Sequence, residues 1–422
     1  MTSTPLTAVQ LRAVTTVVEV DGPLIAFADP GHPLAALRRG DGIVGIGEAW
    51  RGEFRGATRF ADAARTWRAL SDVAGVADPV HRAGSGLVAF GSFAFADDSG
   101  AASVLVVPET IVGRRDGVAW VTHIAVVDDA SHAGRDHDAA TLPAATPIGE
   151  RPRATLAAAS LSRDDFVSTV GRALERIRAG DVEKVVIARD ATASIPADAD
   201  RRAIVTELAE AYPDTLAFSV DGLMGASPET LVSVHAREAS ARVLAGSTAR
   251  GTDASEDAAA ATQLATSQKD LDEHEFAVQS VLKALRPHVT AVTASEAPFT
   301  LKLPNLWHLA TDVELELAED SSGLDLVAAL HPTAAVAGSP TDAALALIAE
   351  LEPFDRGRYA GPVGWIDQDG DGEWVIALRC AHIDDDGMLV AHAGAGIVID
   401  SDPVAELAET RMKFRPIADA LR

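Results

Sequence analysis

Asp181-Val-Glu-Lys184-Val185-Val186-Ile187-Ala188-Arg189 puts a lysine inside an apolar, β-branched run that reads as a strand. Burial disfavours an ammonium, so such a lysine either sits at a strand mouth facing water or is held for chemistry. A desolvated lysine with a lowered pKa is a general base near neutral pH. The plainer reading is a strand-edge lysine that discourages sheet pairing, and this segment alone does not choose between them. Just upstream, Ser162-Arg-Asp-Asp165 fits a capping box. Val167, Val170, Leu174 and Ile177 follow at helical spacing, and Gly180 stops the helix.

The same alternation continues downstream. Residues 215–220, 230–234 and 241–244 read as strands. From 254 to 285 the pattern is helical, with Leu264, Leu271, Val278, Leu282 and Leu285 near one face. Residues 341–351 read as a helix and 389–399 as a strand. Residues 359–366 and 373–383 read as a hairpin around Asp367-Gln-Asp-Gly-Asp-Gly. Asp402 caps a last helix with Pro403 in its first turn. Before residue 150, short apolar runs alternate with Gly/Asp turns, a helix fits 61–74, and 128–153 reads as an exposed connection. Strands alternate with helices but hairpins are frequent, which predicts a mixed sheet of the α/β or α+β class.

The 422 residues permit two or three domains or one large unit. Net charge is −26, from 36 Lys+Arg against 62 Asp+Glu, which argues against nucleic acid or an anionic membrane as partner. An anionic substrate then needs a local basic pocket or a metal. The single cysteine, Cys380, excludes an intrachain disulfide and a cysteine zinc cluster. The N-terminal Met1-Thr-Ser-Thr-Pro-Leu lacks signal-peptide features, and no apolar run approaches the ~20 residues of a membrane span, so a cytoplasmic protein is expected.

Three motifs fail on inspection. Asp367-Gln-Asp-Gly-Asp-Gly begins like a calcium loop, but the twelfth position is Leu378 instead of glutamate. Gly225-Ala-Ser227-Pro-Glu229 lacks the last glycine of a hydrolase elbow. Gly394-Ala-Gly396 lacks the third glycine of a dinucleotide fingerprint.

Other segments carry chemistry. In Ser227-Pro228-Glu229-Thr230 a carboxylate stands beside a proline where a strand begins; a solvated turn glutamate is the plain alternative. Ala245-Gly246-Ser247-Thr248 through Gly251 is a small-residue loop that would let a ligand approach backbone N–H groups. Asp270 and Glu273 share a helix face, and Glu406 and Glu409 repeat that spacing with Lys413 four residues on. Each pair reads as a solvated, salt-bridged helix face, or together as carboxylates converging on a hard cation such as Mg²⁺. Arg379, in an apolar run, suits a bidentate carboxylate contact; Gly394 and Gly396 would offer backbone donors and Tyr359 a hydroxyl. The set suggests a pocket for a small anion with several carboxylates.

These residues resemble the chorismate-utilising enzyme family. The likeness runs in order over roughly residues 160–420, through Lys184–Arg189, Ser227–Thr230, Ala245–Gly251, Lys269–His274, Leu306–Thr311, Leu330–Val336, Phe354–Trp365, Leu378–Ala381, Ala393–Val398 and Ser401–Lys413. Residues 1–150 match only loosely. The resemblance implies one large α/β (α+β mixed) chorismate-binding domain of two mostly antiparallel sheets sandwiched between helices. Residues 1–150 would be its N-terminal part and 160–422 its catalytic region. It also implies the water-using branch, because Lys184 stands where ammonia users carry a small residue. That branch converts chorismate to isochorismate for menaquinone or siderophore and salicylate biosynthesis; the alternative is a salicylate-forming member that also eliminates pyruvate. In that frame Lys184 is the base and Glu229 the acid. Glu273, Glu406 and Glu409 hold Mg²⁺. Gly246, Ser247, Thr248, His308, Ala335, Tyr359, Arg379, Gly394, Gly396 and Lys413 bind the substrate. No glutaminase subunit is needed and a monomer is expected. Ser247-Thr248 replaces the Gly-Thr of many members, a mild departure.

Overall fold

The computed structural model describes residues 9–127, 140–251, 253–295, 297–302 and 306–422; the side chains of Ser247, Ala249, Lys269, Glu273 and Leu306 lie outside the described residues. Among the described residues two sheets carry the fold, one of 13 strands and one of 10. Every described pairing is antiparallel except that of Gln10–Val18 with Gly75–Ala77. Strands from before residue 128 sit in both sheets.

The alternation of side chains explains the packing. In Leu34–Arg38, Leu34 and Ala36 join the core shared with the smaller sheet, while Ala35 and Leu37 join a second core. Ile43 and Val44, Ile111 and Val112, and Leu223 and Met224 divide in the same way. The larger sheet is therefore buried on both faces. Its second face is covered by the helices Arg202–Ala211 and Pro403–Ala420, through Ile204, Val205, Leu208, Phe414 and Ile417.

The capped helix is present over Arg163–Arg178, with Ser162 and Asp165 exchanging both box hydrogen bonds. It delivers the chain to the strand Lys184–Ser194, which pairs along its length with Met388–Ile397. The helix expected over 254–285 is two helices, Ala254–Thr266 and Gln268–Leu285. Ser267 ends the first and its side chain caps the second, a local bond that competes with continuing the helix. The strand expected over 241–244 runs over Glu238–Ala249. Residues 128–139 of the expected exposed connection lie outside the described residues; residues 140–156 hold no regular element and cross Arg202, which donates to Thr146 Oγ1 (2.7 Å).

The expected hairpin is real only in part. Pro362–Asp367 and Gly372–Ile376 pair in the smaller sheet, but the chain then leaves it and re-enters the larger sheet as Cys380–Ile383. Arg379 is therefore not in a strand but in the bend between the two sheets, with φ 51. Between the hairpin strands, the Asp367 carboxylate accepts from Asp369 N (2.9 Å) and Asp371 N (3.0 Å), so it is a turn and not a calcium loop. Among the described residues no helix is long and apolar enough to cross a membrane.

Candidate active site

The site forms where the chain passes between the sheets. Leu223–Ser227 belongs to the larger sheet and Thr230–His235 to the smaller, so Glu229 lies in one crossing. Arg379 lies in the crossing that runs the other way. The two are bonded side by side. Ser227 Oγ donates to Ile376 O (2.6 Å) and accepts from Glu229 N (3.2 Å). Ile376 N donates to Glu229 O (3.0 Å), and Ala226 N donates to Arg379 O (3.3 Å). Gly225 makes this approach possible, because a Cβ there would lie 2.5 Å from Cys380 Cβ.

Lys184 is the first residue of its strand and is half-buried, while Val185–Asp190 behind it are buried. The mouth position is thus the one adopted. Its side chain lies over Gly396, where an added Cβ would meet Lys184 Cε at 3.2 Å. Lys184 and Glu229 line one cavity of ≈ 1950 Å³, together with Ala335. Burial pushes the Glu229 carboxyl above the ordinary carboxylate range, against the opposing charges of Lys184, Arg379 and Lys413. A carboxyl that resists ionisation beside a lysine is suited to give a proton while the amine takes one.

Tyr359 is buried and its ring stacks on His392, with centroids 5.1 Å apart. Its hydroxyl reaches Gly394, where a Cβ would come within 3.2 Å of it, and burial pushes that hydroxyl up to about 12. Gly394 and Gly396 thus leave room for the tips of Tyr359 and Lys184, a use of glycine different from the backbone donation expected from the sequence.

The helix Pro403–Ala420 carries Glu406, Glu409 and Lys413. Lys413 Nζ donates to Gly394 O (2.7 Å) and pairs with Glu409 Oε1 (2.6 Å). Burial raises the Glu406 carboxyl, the neighbouring Glu409 adds to the rise, and a hydrogen bond with Ser401 opposes it. Two crowded, partly desolvated carboxylates are hard oxygen donors of the kind Mg²⁺ takes. The Glu273 side chain lies outside the described residues. Among the described residues no group of three or more His, Cys, Asp or Glu side chains forms a metal centre. His274, which follows Glu273, is buried and pins the helix Gln268–Leu285 to the smaller sheet, with Nδ1 donating to Ala245 O (3.0 Å) and Nε2 bonded to Thr311 Oγ1 (2.7 Å).

Gly246 forms the bulge between Ala245 and Ser247, with φ 74. Its carbonyl accepts from His308 Nδ1 (3.3 Å). Burial, then the charge of Lys184, lowers His308 to about 4, so it is neutral at pH 7. Thr248 continues the same strand opposite Trp307. The Ser247 side chain lies outside the described residues.

Two site-related residues escaped the sequence reading. Glu352 and Arg356 form a buried ion pair (2.6 Å) behind the lysine strand. An i, i+4 pair at a helix end looks like surface decoration in a sequence.

A profile of chorismate binding enzymes matches residues 35–422, and the chain belongs to that family. It is 38% identical over 270 residues to isochorismate synthase DhbC of Bacillus subtilis (strain 168), covering 61% of this chain and 68% of that protein. It is 38% identical over 254 residues to isochorismate synthase EntC of Escherichia coli (strain K12), covering 59% and 65%. The solved structure of MenF, the menaquinone-specific isochorismate synthase from Escherichia coli, superposes with a TM-score of 0.74 over 98% of this chain and 95% of that one; its 22% identity speaks to the fold alone.

Proposed function

We propose that this protein is an isochorismate synthase, an isomerase that adds water at C2 of chorismate and releases the C4 hydroxyl. The observation that carries the reading is the pair Lys184 and Glu229 on one cavity, with the Glu229 carboxyl raised by burial. Lys184, in its neutral form, takes a proton from the attacking water. The ring double bonds shift, and Glu229 gives its proton to the departing hydroxyl, so one water enters and one leaves. Tyr359, Arg379 and Lys413 bind the enolpyruvyl carboxylate at the crossing. Neutral His308 would lie near the ring carboxylate, Ala335 lines the cavity wall, and the resemblance adds Gly246, Ser247 and Thr248 as substrate-binding residues.

The donor set fits a resident Mg²⁺: Glu406 and Glu409 would hold it, with Glu273 as third carboxylate. When bound, the ion supplies positive charge to a substrate carboxylate in a strongly acidic protein. We take residues 1–150 as the N-terminal part of the same domain, and the enzyme as a cytoplasmic monomer without a glutaminase subunit. Its product would feed menaquinone or siderophore and salicylate biosynthesis.

Purified protein incubated with chorismate and Mg²⁺ should yield isochorismate, read by coupling to an isochorismatase. Salicylate and pyruvate formed without a second enzyme would make it a salicylate synthase. No turnover, or anthranilate on adding ammonium, would sink the reading.

A further inference from the structure

Among the described residues, one edge of the strand Lys184–Ser194 has no strand paired along its middle. Gly338–Ser339 pairs with Lys184 and Val185, and Ala157–Ala158 pairs with Ala191 and Thr192. Between them the backbone groups on that edge need other partners, since a buried unpaired N–H or C=O is costly. Val186 N donates to Ala337 O (2.8 Å), and Asp190 O accepts from Ala159 N (3.3 Å). Two more of these groups meet side chains. Arg356 Nη2 donates to Val186 O (2.8 Å), and Glu352 Oε1 accepts from Ala188 N (2.7 Å).

Those side chains are tied to each other. Arg356 Nε donates to Glu352 Oε2 (2.8 Å) and Nη2 to Glu352 Oε1 (2.6 Å). Their exposures are 3% and 2%, so this is a desolvated pair with its hydrogen bonds made. The same guanidinium donates through Nη1 to Val336 O (2.9 Å), next to Ala335 on the cavity wall. It also stacks over Phe95, 4.5 Å from the ring centroid. One planar fork thus joins the lysine strand to the Ala335 loop, which a lysine point charge would not span.

We propose that Glu352 and Arg356 are positioning residues whose ion pair stands in for a missing strand and sets where Lys184 meets the cavity. The proposal rests on the reading of Lys184 as the base. Both residues also border the cavity, but their polar atoms are engaged with each other and with the backbone of the lysine strand. They hold the backbone two and four residues beyond the lysine, where a displacement of about 1 Å would cost on the order of 10²-fold in rate.

The test compares Glu352→Leu with Glu352→Gln in the full chain. The leucine removes the acceptor for Ala188 N and leaves Arg356 without its anion. The glutamine has the same shape and keeps one acceptor oxygen, enough for Ala188 N and Arg356 Nη2, but not the charge. In Glu352→Leu, kcat per folded enzyme should fall about 10²-fold while KM moves by less than about threefold. Glu352→Gln should recover most of the loss. A second readout needs no turnover: the rate at which acetic anhydride acylates Lys184, followed by mass spectrometry, should change by at least about threefold in Glu352→Leu. Should Glu352→Leu fail to fold, Arg356→Lys takes its place, with the same two readouts expected to move. Unchanged kcat and unchanged acylation would overturn the proposal. A wild-type protein that makes no isochorismate but shows the acylation change would overturn the function and leave the positioning device standing.

Discussion

Lys184 and Arg189 lie five positions apart on one strand and look alike in the sequence, each a cation in an apolar run. The fold treats them in opposite ways. An odd spacing puts them on opposite faces of the sheet. Lys184 opens on the cavity over Gly396. Arg189 is buried under the last helix, with Nε donating to Thr410 Oγ1 (2.8 Å) and its guanidinium 4.8 Å from the Phe414 ring centroid. Burial, then the charges of Arg411 and Arg163, lowers Arg189 to about 10. One cation faces the cavity; the other clamps a helix to a sheet. Parity along the strand decides which.

The sharpest way to break this contrast is at the cavity end. Lys184→Ala should lower kcat by about 10²–10⁴-fold with the melting temperature nearly unchanged, and Glu229→Gln should do the same. Normal turnover in Lys184→Ala would remove the base from the scheme. Next, Glu409→Gln should raise the Mg²⁺ concentration for half-maximal activity by roughly 10-fold or more. A superimposable Mg²⁺ titration would strike Glu409 from the ligand set. Arg189→Ala should show the reverse of the lysine variant: stability lower by about 2 kcal/mol in denaturant unfolding, with kcat/KM within about threefold.

The smallest effect concerns protons on the inner face. Burial lowers His392 from its ordinary 6.5 to about 4, so the folded chain binds fewer protons than the unfolded chain between those values. Stability therefore falls as pH drops from 6.5 towards 4 and is unaffected by this group above 6.5. His392→Phe preserves the stack on Tyr359 and should flatten the fall of melting temperature over that range. An identical slope in both proteins would show that His392 does not titrate as described.

Much of this architecture was legible where local chemistry is strong. The Ser162 box, the helix Thr341–Leu351 and the Asp402 cap with Pro403 were read close to their observed limits, because capping groups and helical spacing act within one turn. Lys184 stood out because charge in an apolar run is costly, and Glu229 because a carboxylate stands beside a proline where a strand begins. The crossings did not. Residues 373–383 keep an apolar pattern through Ala377 and Leu378 while the chain changes sheets, and no local signal marks that change. The Glu352–Arg356 pair was hidden for a related reason: whether an i, i+4 pair is solvated or buried depends on what packs over it. Ser267 was missed because one serine can both end and begin a helix.

The adjacent crossings at Glu229 and Arg379 carry one more consequence. Neither residue belongs to a sheet; each belongs to the act of leaving one. A partly folded species with a single sheet assembled therefore has neither the proposed acid nor the proposed anion-binding arginine in place. Catalytic competence becomes a late property of folding, gained only when both layers have docked. Proteolytic or mutational damage that unseats one layer should silence the enzyme before it unravels the other.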